Sequence, residues 1–333
     1  MTKLVLKKYF KKITACAYVN YGYLFKEGDR ITLKDDSFED IIRVNEPLYG
    51  ERFVVSPDNN SFLFFPSLFH SSLNLYSLPS LSVIDKIKVD GVLKDACFSH
   101  DGKTLYLLYD LEDENGLHSV LVSYDRKDKT KTLFFKKENY RFDSLFFSPV
   151  YCCLTLLLRS GQIFYFQDGK IVRKTKTSPF HKIFFRDKGS NLISDTMAGF
   201  QISSLNGKVI RKCDFLLPKE RKKPTRDQKL EILQNKEIES LCGNPSSHRK
   251  RNEHYLDRLV AYTTNQVFYI TRKEPERESC LYFFSLNSFR RKKQIKLKGK
   301  YLGRNYSKKH LFILTSDGVS LYQLANDKKK REG

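Results

Sequence analysis

Apolar and polar positions alternate along this chain in short runs, and the runs come in a repeating order. Phe53-Val54-Val55 and Phe62-Leu63-Phe64-Phe65 flank the polar turn Ser56-Pro57-Asp58-Asn59-Asn60. Ala96-Cys97-Phe98 and Leu105-Tyr106-Leu107-Leu108 flank Ser99-His100-Asp101-Gly102-Lys103, 43 residues further on. Short apolar runs around a tight polar turn predict a β-hairpin. Similar pairs recur at 145–159, 183–197 and 301–316, with half of one at 256–265.

A second hairpin follows each of these. It joins a strand of large apolar residues to a more polar strand, as in Leu73–Leu78 with Ser82–Ile87, or Val120–Asp125 with Lys131–Phe135. Further copies begin near 162, 200, 281 and 319. In two of them Gln167-Asp168-Gly169 and Asn206-Gly207 supply the positive φ that short hairpin turns require. Two successive hairpins make a four-stranded antiparallel unit of about 40–45 residues, the blade of a β-propeller. The segment 13–44 reads as one more, with strands near 15–19, 21–25, 30–33 and 41–44.

The predicted fold is therefore all-β: a single domain over 1–333, a seven-bladed β-propeller of four-stranded antiparallel blades. The register before Pro47 and after Leu324 leaves six or eight blades open. The closing blade lacks a fourth strand of its own, because 325–333 reads as a basic tail. Lys3–Phe10 is the candidate that closes the ring and removes an open sheet edge.

The Ser-Pro-Asp-Asn and Ser-His-Asp-Gly turns at 56–59 and 99–102 resemble those of the WD40 and YVTN-like propeller superfamily. The chain departs from that family in having no Trp, hence no Trp-Asp dipeptide, and no Gly-His pair opening its blades. What the resemblance implies is a fold. Propellers host binding platforms and enzymes alike.

The rhythm breaks once. Second hairpins near 200 and 281 are separated by about 40 residues too many, and 216–254 is too charged for a blade. We expect an insertion there. Thr225-Arg226-Asp227-Gln228 fits a capping box, and Leu230, Leu233, Glu237 and Leu241, with Ile238, fall near one face of a short helix at about 226–241.

Charge follows the same asymmetry. The net charge is +22, yet residues 1–166 carry 22 Lys+Arg against 21 Asp+Glu. Nearly all the excess lies in the second half, which points to an acidic partner. Lys219, Arg221, Lys222 and Lys223 precede the expected helix, and Arg249, Lys250 and Arg251 follow it. Arg290, Arg291, Lys292 and Lys293 form a third cluster, in the expected turn of a later hairpin. These eleven residues are the candidate partner or phosphate contacts.

Catalytic patterns are weak. The sequence holds no nucleophile elbow, no phosphate loop and no dinucleotide fingerprint. His100 sits in a turn, where ordering the loop by a hydrogen bond is the simpler role. Cys242, His248 and His254, with Cys213 or Cys280, are spaced too widely for a zinc site. No cofactor, metal or catalytic residue is expected. Seven Cys without redox spacing fit a reducing, intracellular compartment, cytoplasmic or nuclear. No apolar run is long enough to span a membrane.

The expected function is a non-catalytic interaction scaffold in a multi-protein, ribonucleoprotein or chromatin assembly. Its partners would be proteins, and RNA or DNA through backbone contacts. The alternatives are a propeller hydrolase or lyase with a polar central-channel site, and a peripheral membrane module.

Overall fold

The computed structural model describes residues 2–214 and 254–326, apart from short connectors such as 67–71, 137–141, 149–152, 177–182 and 187–190. Its described residues contain no helix and form seven four-stranded antiparallel sheets. Sheet 1 is β2 (Ile13–Val19), β3 (Gly22–Glu27), β4 (Arg30–Lys34) and β5 (Asp40–Asn45). Sheet 2 is β6 (Gly50–Val55), β7 (Ser61–Pro66), β8 (Ser72–Ser77) and β9 (Val83–Lys88). Sheet 3 is β10 (Val92–Phe98), β11 (Thr104–Asp113), β12 (Gly116–Asp125) and β13 (Thr130–Lys136). Sheet 4 is β14 (Ser144–Ser148), β15 (Cys153–Leu157), β16 (Gln162–Gln167) and β17 (Lys170–Lys176). Sheet 5 is β18 (Ile183–Arg186), β19 (Asn191–Thr196), β20 (Gly199–Ser204) and β21 (Val209–Asp214). Sheet 6 is β22 (His254–Thr263), β23 (Gln266–Lys273), β24 (Glu278–Ser285) and β25 (Arg291–Lys296). Sheet 7 is β26 (Tyr301–Tyr306), β27 (His310–Thr315) and β28 (Gly318–Asn326), completed by β1 (Thr2–Phe10).

The sheets are the blades of a propeller. The first strand of each is innermost: β2 lies beside β6, β10 beside β14, and β22 beside β26. The apolar core sits between neighbouring blades. Ile31 and Leu33 of β4 meet Phe53, Phe62 and Phe64 of sheet 2. On β11, Leu105 and Leu107 face sheet 2, whereas Leu108 packs with Leu154, Leu156 and Phe164 of sheet 4. Middle strands are thus covered on both faces, which is why they read as almost continuous apolar runs. Phe62 shows the density of this packing: it is fully buried, stacked on Tyr76 at 5.0 Å and edge-on to Phe53 at 5.5 Å. Burying one such ring contributes about 1.5–3 kcal/mol.

The N-terminal strand closes the last blade, as the sequence suggests. β1 runs antiparallel to β28 from Thr2↔Asn326 to Phe10↔Val319. Phe10 packs on Phe25 of sheet 1 at 4.6 Å, so the closing strand also grips the next blade. Ala325 and Asn326, expected to lie in the charged tail, instead extend β28, because β1 offers them partners.

Each outermost ladder carries one irregularity, in which the outer strand has one residue more than its partner. The extra residues are Lys7, Ile41, Ile84, Phe134, Val172, Ile210 and Lys292. Bulges of this kind twist a sheet edge away from further pairing.

The insertion expected at 216–254, with the helix expected in it, falls outside the described residues, except that His254 begins β22.

Candidate site at the channel mouth

The two repeated turns are built the same way. In the first, Ser56 Oγ donates to Asp58, Asn60 N–H donates to Asp58 Oδ1 at 3.1 Å, and Ser61 N–H donates to Ser56 Oγ at 3.1 Å. In the second, Ser99 Oγ donates to Asp101 Oδ1 at 2.7 Å, Lys103 N–H to the same oxygen at 3.1 Å, and Thr104 N–H to Ser99 Oγ at 3.0 Å. The fourth residue takes positive φ in both, 57° at Asn59 and 72° at Gly102. Serine and aspartate are required because each must accept a backbone N–H while bonding the other. These bonds hold both carboxyls below the usual carboxylate range. For Asp101 the Ser99 bond is the main cause; for Asp58 burial opposes the shift, and the bonds from Ser56 and Asn60 outweigh it.

Neighbouring turns also touch: Asn20 N–H donates to Asn59 Oδ1 at 3.2 Å, and Arg126 donates to the Gly102 carbonyl at 2.5 Å. The expected loop-ordering role of His100 belongs instead to Ser99 and Asp101. His100 is exposed at the edge of a cavity.

That cavity, of about 340 Å³, opens where three inner strands end. Val54, Val55 and Pro57 line it from sheet 2. Cys97, Phe98 and His100 line it from sheet 3, and Leu145, Phe146 and Phe147 from sheet 4. Its wall is mostly apolar. Burial pushes the Cys97 thiol well up, with Asp95 adding to the rise and Arg52 opposing it, so this sulfur is protonated near neutrality.

Further along the same strands is one polar tie. Asp95 of β10 is buried, accepts from Arg52 of β6 and accepts from the Leu145 N–H of β14 at 2.9 Å. One carboxylate thereby joins three consecutive inner strands. The Arg52 guanidinium lies over the Phe65 ring at 4.3 Å.

A second cavity, of about 350 Å³, lies on sheet 1, with Arg30, Thr32, Lys34, Asp40 and Arg43 among its lining residues. Asp40 already pairs with Lys34 and Arg43 there. The channel cavity draws on three blades and is the better candidate.

Of the residues selected from sequence, Lys219, Arg221, Lys222, Lys223, Arg249, Lys250, Arg251 and Arg290 lie outside the described residues. Arg291, Lys292 and Lys293 do not form a turn. They open β25, where Arg291 is paired with Phe284 and Lys293 with Phe283. The pleat tolerates them because β25 is an outermost strand. Cys242 and His248 are likewise undescribed, and no cluster of three metal-ligating side chains occurs among the described residues. Sequence reasoning missed Arg52, Asp95 and Cys97. The available signal was Asp95, the one acidic residue in the strand VLKDACF.

No family profile matches this chain, and no curated protein sequence does. Among solved structures it is similar to dihydro-heme d1 dehydrogenase NirN in complex with DHE, with a TM-score of 0.54 and 14% identity. The match covers 88% of this chain and 57% of that one, so this chain spans little more than half of its neighbour. A likeness at this identity shows the fold alone, and it supports a β-propeller without singling out WD40 repeats. The fold it shows is one that houses an enzyme. That removes the ground for expecting a non-catalytic scaffold, and both that expectation and the exclusion of enzyme activity are corrected.

Proposed function

We propose that this chain is a propeller enzyme, a hydrolase or lyase, acting on a small, largely apolar molecule at the channel mouth between β6, β10 and β14. The observation that carries the proposal is the cavity of about 340 Å³ with His100 at its rim. Small-ligand sites span roughly 300–1,000 Å³, are mostly apolar and hold few polar groups. An imidazole is the side chain best suited to move a proton near neutral pH. In this reading His100 is the acid–base group, while Arg52 and Asp95 hold the strands that shape the cavity. The shared Ser-x-Asp turns support a WD40-like origin for the seven sheets, closed as seven blades.

The test is titration with anilinonaphthalene sulfonate as an apolar probe, followed by a small-molecule thermal-shift screen that includes haem. Val54→Phe fills the cavity and should weaken probe binding at least tenfold. Unchanged binding in a folded Val54→Phe protein overturns the site. Once a substrate is identified, His100→Gln should lower turnover by roughly 10²–10⁴-fold with binding retained.

A further inference from the structure

The cavity on sheet 1 carries a charge pattern of its own. On β4, Ile31 and Leu33 point into the core against sheet 2, so Arg30, Thr32 and Lys34 share the opposite face. Register sets Glu27 of β3 opposite Arg30, and sets Arg43 and Asp40 of β5 opposite Thr32 and Lys34. These six residues and Asp29 line the cavity of about 350 Å³, at the rim of the propeller. The cavity is a dipole. Glu27, Asp29 and Arg30 stand at its hairpin end, two acids to one base, and form no ion pair among the described residues. At its other end Lys34 and Arg43 share the one carboxylate of Asp40, two bases to one acid. The two ends lie four residues apart along β4, about 13 Å. Between them Thr32 is only 5% exposed, and its hydroxyl has no side-chain or main-chain partner among the described residues. Both ends are held by hydrogen bonds. The buried Lys26 donates to the Gly28 carbonyl and the Glu46 N–H donates to the Asp29 carbonyl at 2.7 Å, which fixes the turn carrying the two acids. Asp35 Oδ1 accepts from the Ser37 and Glu39 N–H groups at 2.9 and 2.8 Å, which fixes the turn before Asp40.

We propose that this groove binds a short zwitterionic peptide of about three residues, its ammonium on Glu27 and Asp29 and its carboxylate on Lys34 and Arg43. The inference does not depend on the channel site. Three properties select this occupant. The lining is neutral as a whole with its charges separated, which suits a molecule carrying one charge of each sign at its two ends and not a polyanion. The span is that of a peptide: three extended residues cover about 10 Å, so both termini reach a charged end, which a single amino acid cannot do. The middle is polar without charge, because the Thr32 hydroxyl can both donate and accept, as a peptide backbone requires. Charge-assisted hydrogen bonds to the two termini are the strong contacts, and their side chains stand on turns already fixed in place.

The experiment is isothermal titration calorimetry of the full chain at low ionic strength with trialanine, beside alanine, N-acetyl-trialanine and trialanine amide. Removing either terminal charge should weaken binding roughly 10–100-fold, and alanine should bind more weakly by a similar factor. The variant Glu27→Gln/Asp29→Asn should lose as much affinity for trialanine as the acetyl cap does, and acetylation should then cost nothing more. Arg43→Gln should stand in the same relation to the amide. Val54→Phe, at the channel, should leave trialanine binding unchanged. If a charge variant melts early, Thr32→Val replaces it, with an expected loss of roughly 3–10-fold. Absence of binding at about 5 mM trialanine overturns the proposal. So does equal binding of alanine, or an acetyl cap that costs as much in Glu27→Gln/Asp29→Asn as in the wild type.

Discussion

Closure of the ring can be tested at one atom. Gly318 begins β28 with φ +144°, and a Cβ built there would lie 2.0 Å from the Phe10 carbonyl oxygen, at the end of β1. Gly28 makes the control. It also has positive φ, +52°, but a Cβ there meets nothing within 4 Å. Gly28→Ala should therefore cost only the left-handed strain, about 1–2 kcal/mol, less about 0.4–1 kcal/mol from the stiffer unfolded chain. Gly318→Ala carries a backbone strain of about 1–3 kcal/mol. It must also displace the Phe10 carbonyl, a main-chain atom that cannot swing aside, and with it the ladder joining β1 to β28. A total near 3 kcal/mol is expected, from overpacking added to backbone strain. With about 2.1 cal/mol/K of unfolding entropy per residue, 3 kcal/mol lowers Tm by roughly 4 °C, against roughly 1 °C for Gly28→Ala. Differential scanning calorimetry measures both. Amide exchange locates the effect, because only Gly318→Ala should loosen β1. Equal Tm shifts, or unchanged β1 protection in Gly318→Ala, would refute closure by this contact.

Three other outcomes follow from the same structure. Asp95→Ala strips Arg52 and the Leu145 N–H of their shared acceptor, and should cost about 3 kcal/mol in urea unfolding, at the low end for a broken buried pair because Arg52 is partly exposed; an unmoved midpoint counts against the three-strand tie. Ser99→Ala removes the bonds to Asp101 and from the Thr104 N–H and should cost about 1 kcal/mol, whereas Ser56→Ala also strips the buried Ser61 hydroxyl of its acceptor and should cost about 2 kcal/mol; equal losses would deny weight to that extra bond. The Tyr124 hydroxyl donates to Asp85 and holds that carboxyl below the usual range. A lowered folded pKa gives stability that is present above about pH 4 and lost as pH falls through the folded value. Tyr124→Phe should accordingly flatten the acid side of the stability–pH curve, and an unchanged acid slope would sink that assignment.

Much of the frame is legible because propeller strands report their position through simple burial rules. Second and third strands are covered on both faces and read as apolar runs; outermost strands are half-solvated and read as mixed. That contrast places β1 as the closing strand from Lys3–Phe10 alone. The bulges are not legible. Ile41, Ile84, Val172 and Ile210 are ordinary strand residues by composition, and only pairing against β4, β8, β16 and β20 shows that each is supernumerary. The same limit misplaced Arg291–Lys293. A run of cations suggests a turn, but an edge strand can carry them, since neither its outer backbone groups nor its outward side chains are buried. The channel site was hidden for a different reason. Its apolar lining is indistinguishable from core in sequence, because Val54, Cys97 and Phe147 differ from true core residues only in facing a gap between blades.

The contrast between the two candidate surfaces follows from where a propeller can tolerate each kind of residue. At the channel, three inner strands converge, and any charge placed there must be matched. Asp95 satisfies this by taking Arg52 and a backbone N–H together, which leaves the remaining wall free to be apolar and shaped. At the rim nothing converges, and each outermost strand has solvent on one side, so charge can accumulate without a desolvation cost. Among the described residues, excess positive charge is therefore tolerated at the periphery. This predicts that the two surfaces are energetically separable. Charge reversal at Lys170, Arg173 and Lys174 should leave probe binding at the channel within about twofold of wild type, the near-additivity expected of sites with no shared partners. A loss of channel binding in a folded rim variant would mean that the blades transmit strain between the two, and that the frame is less rigid than its packed interfaces imply.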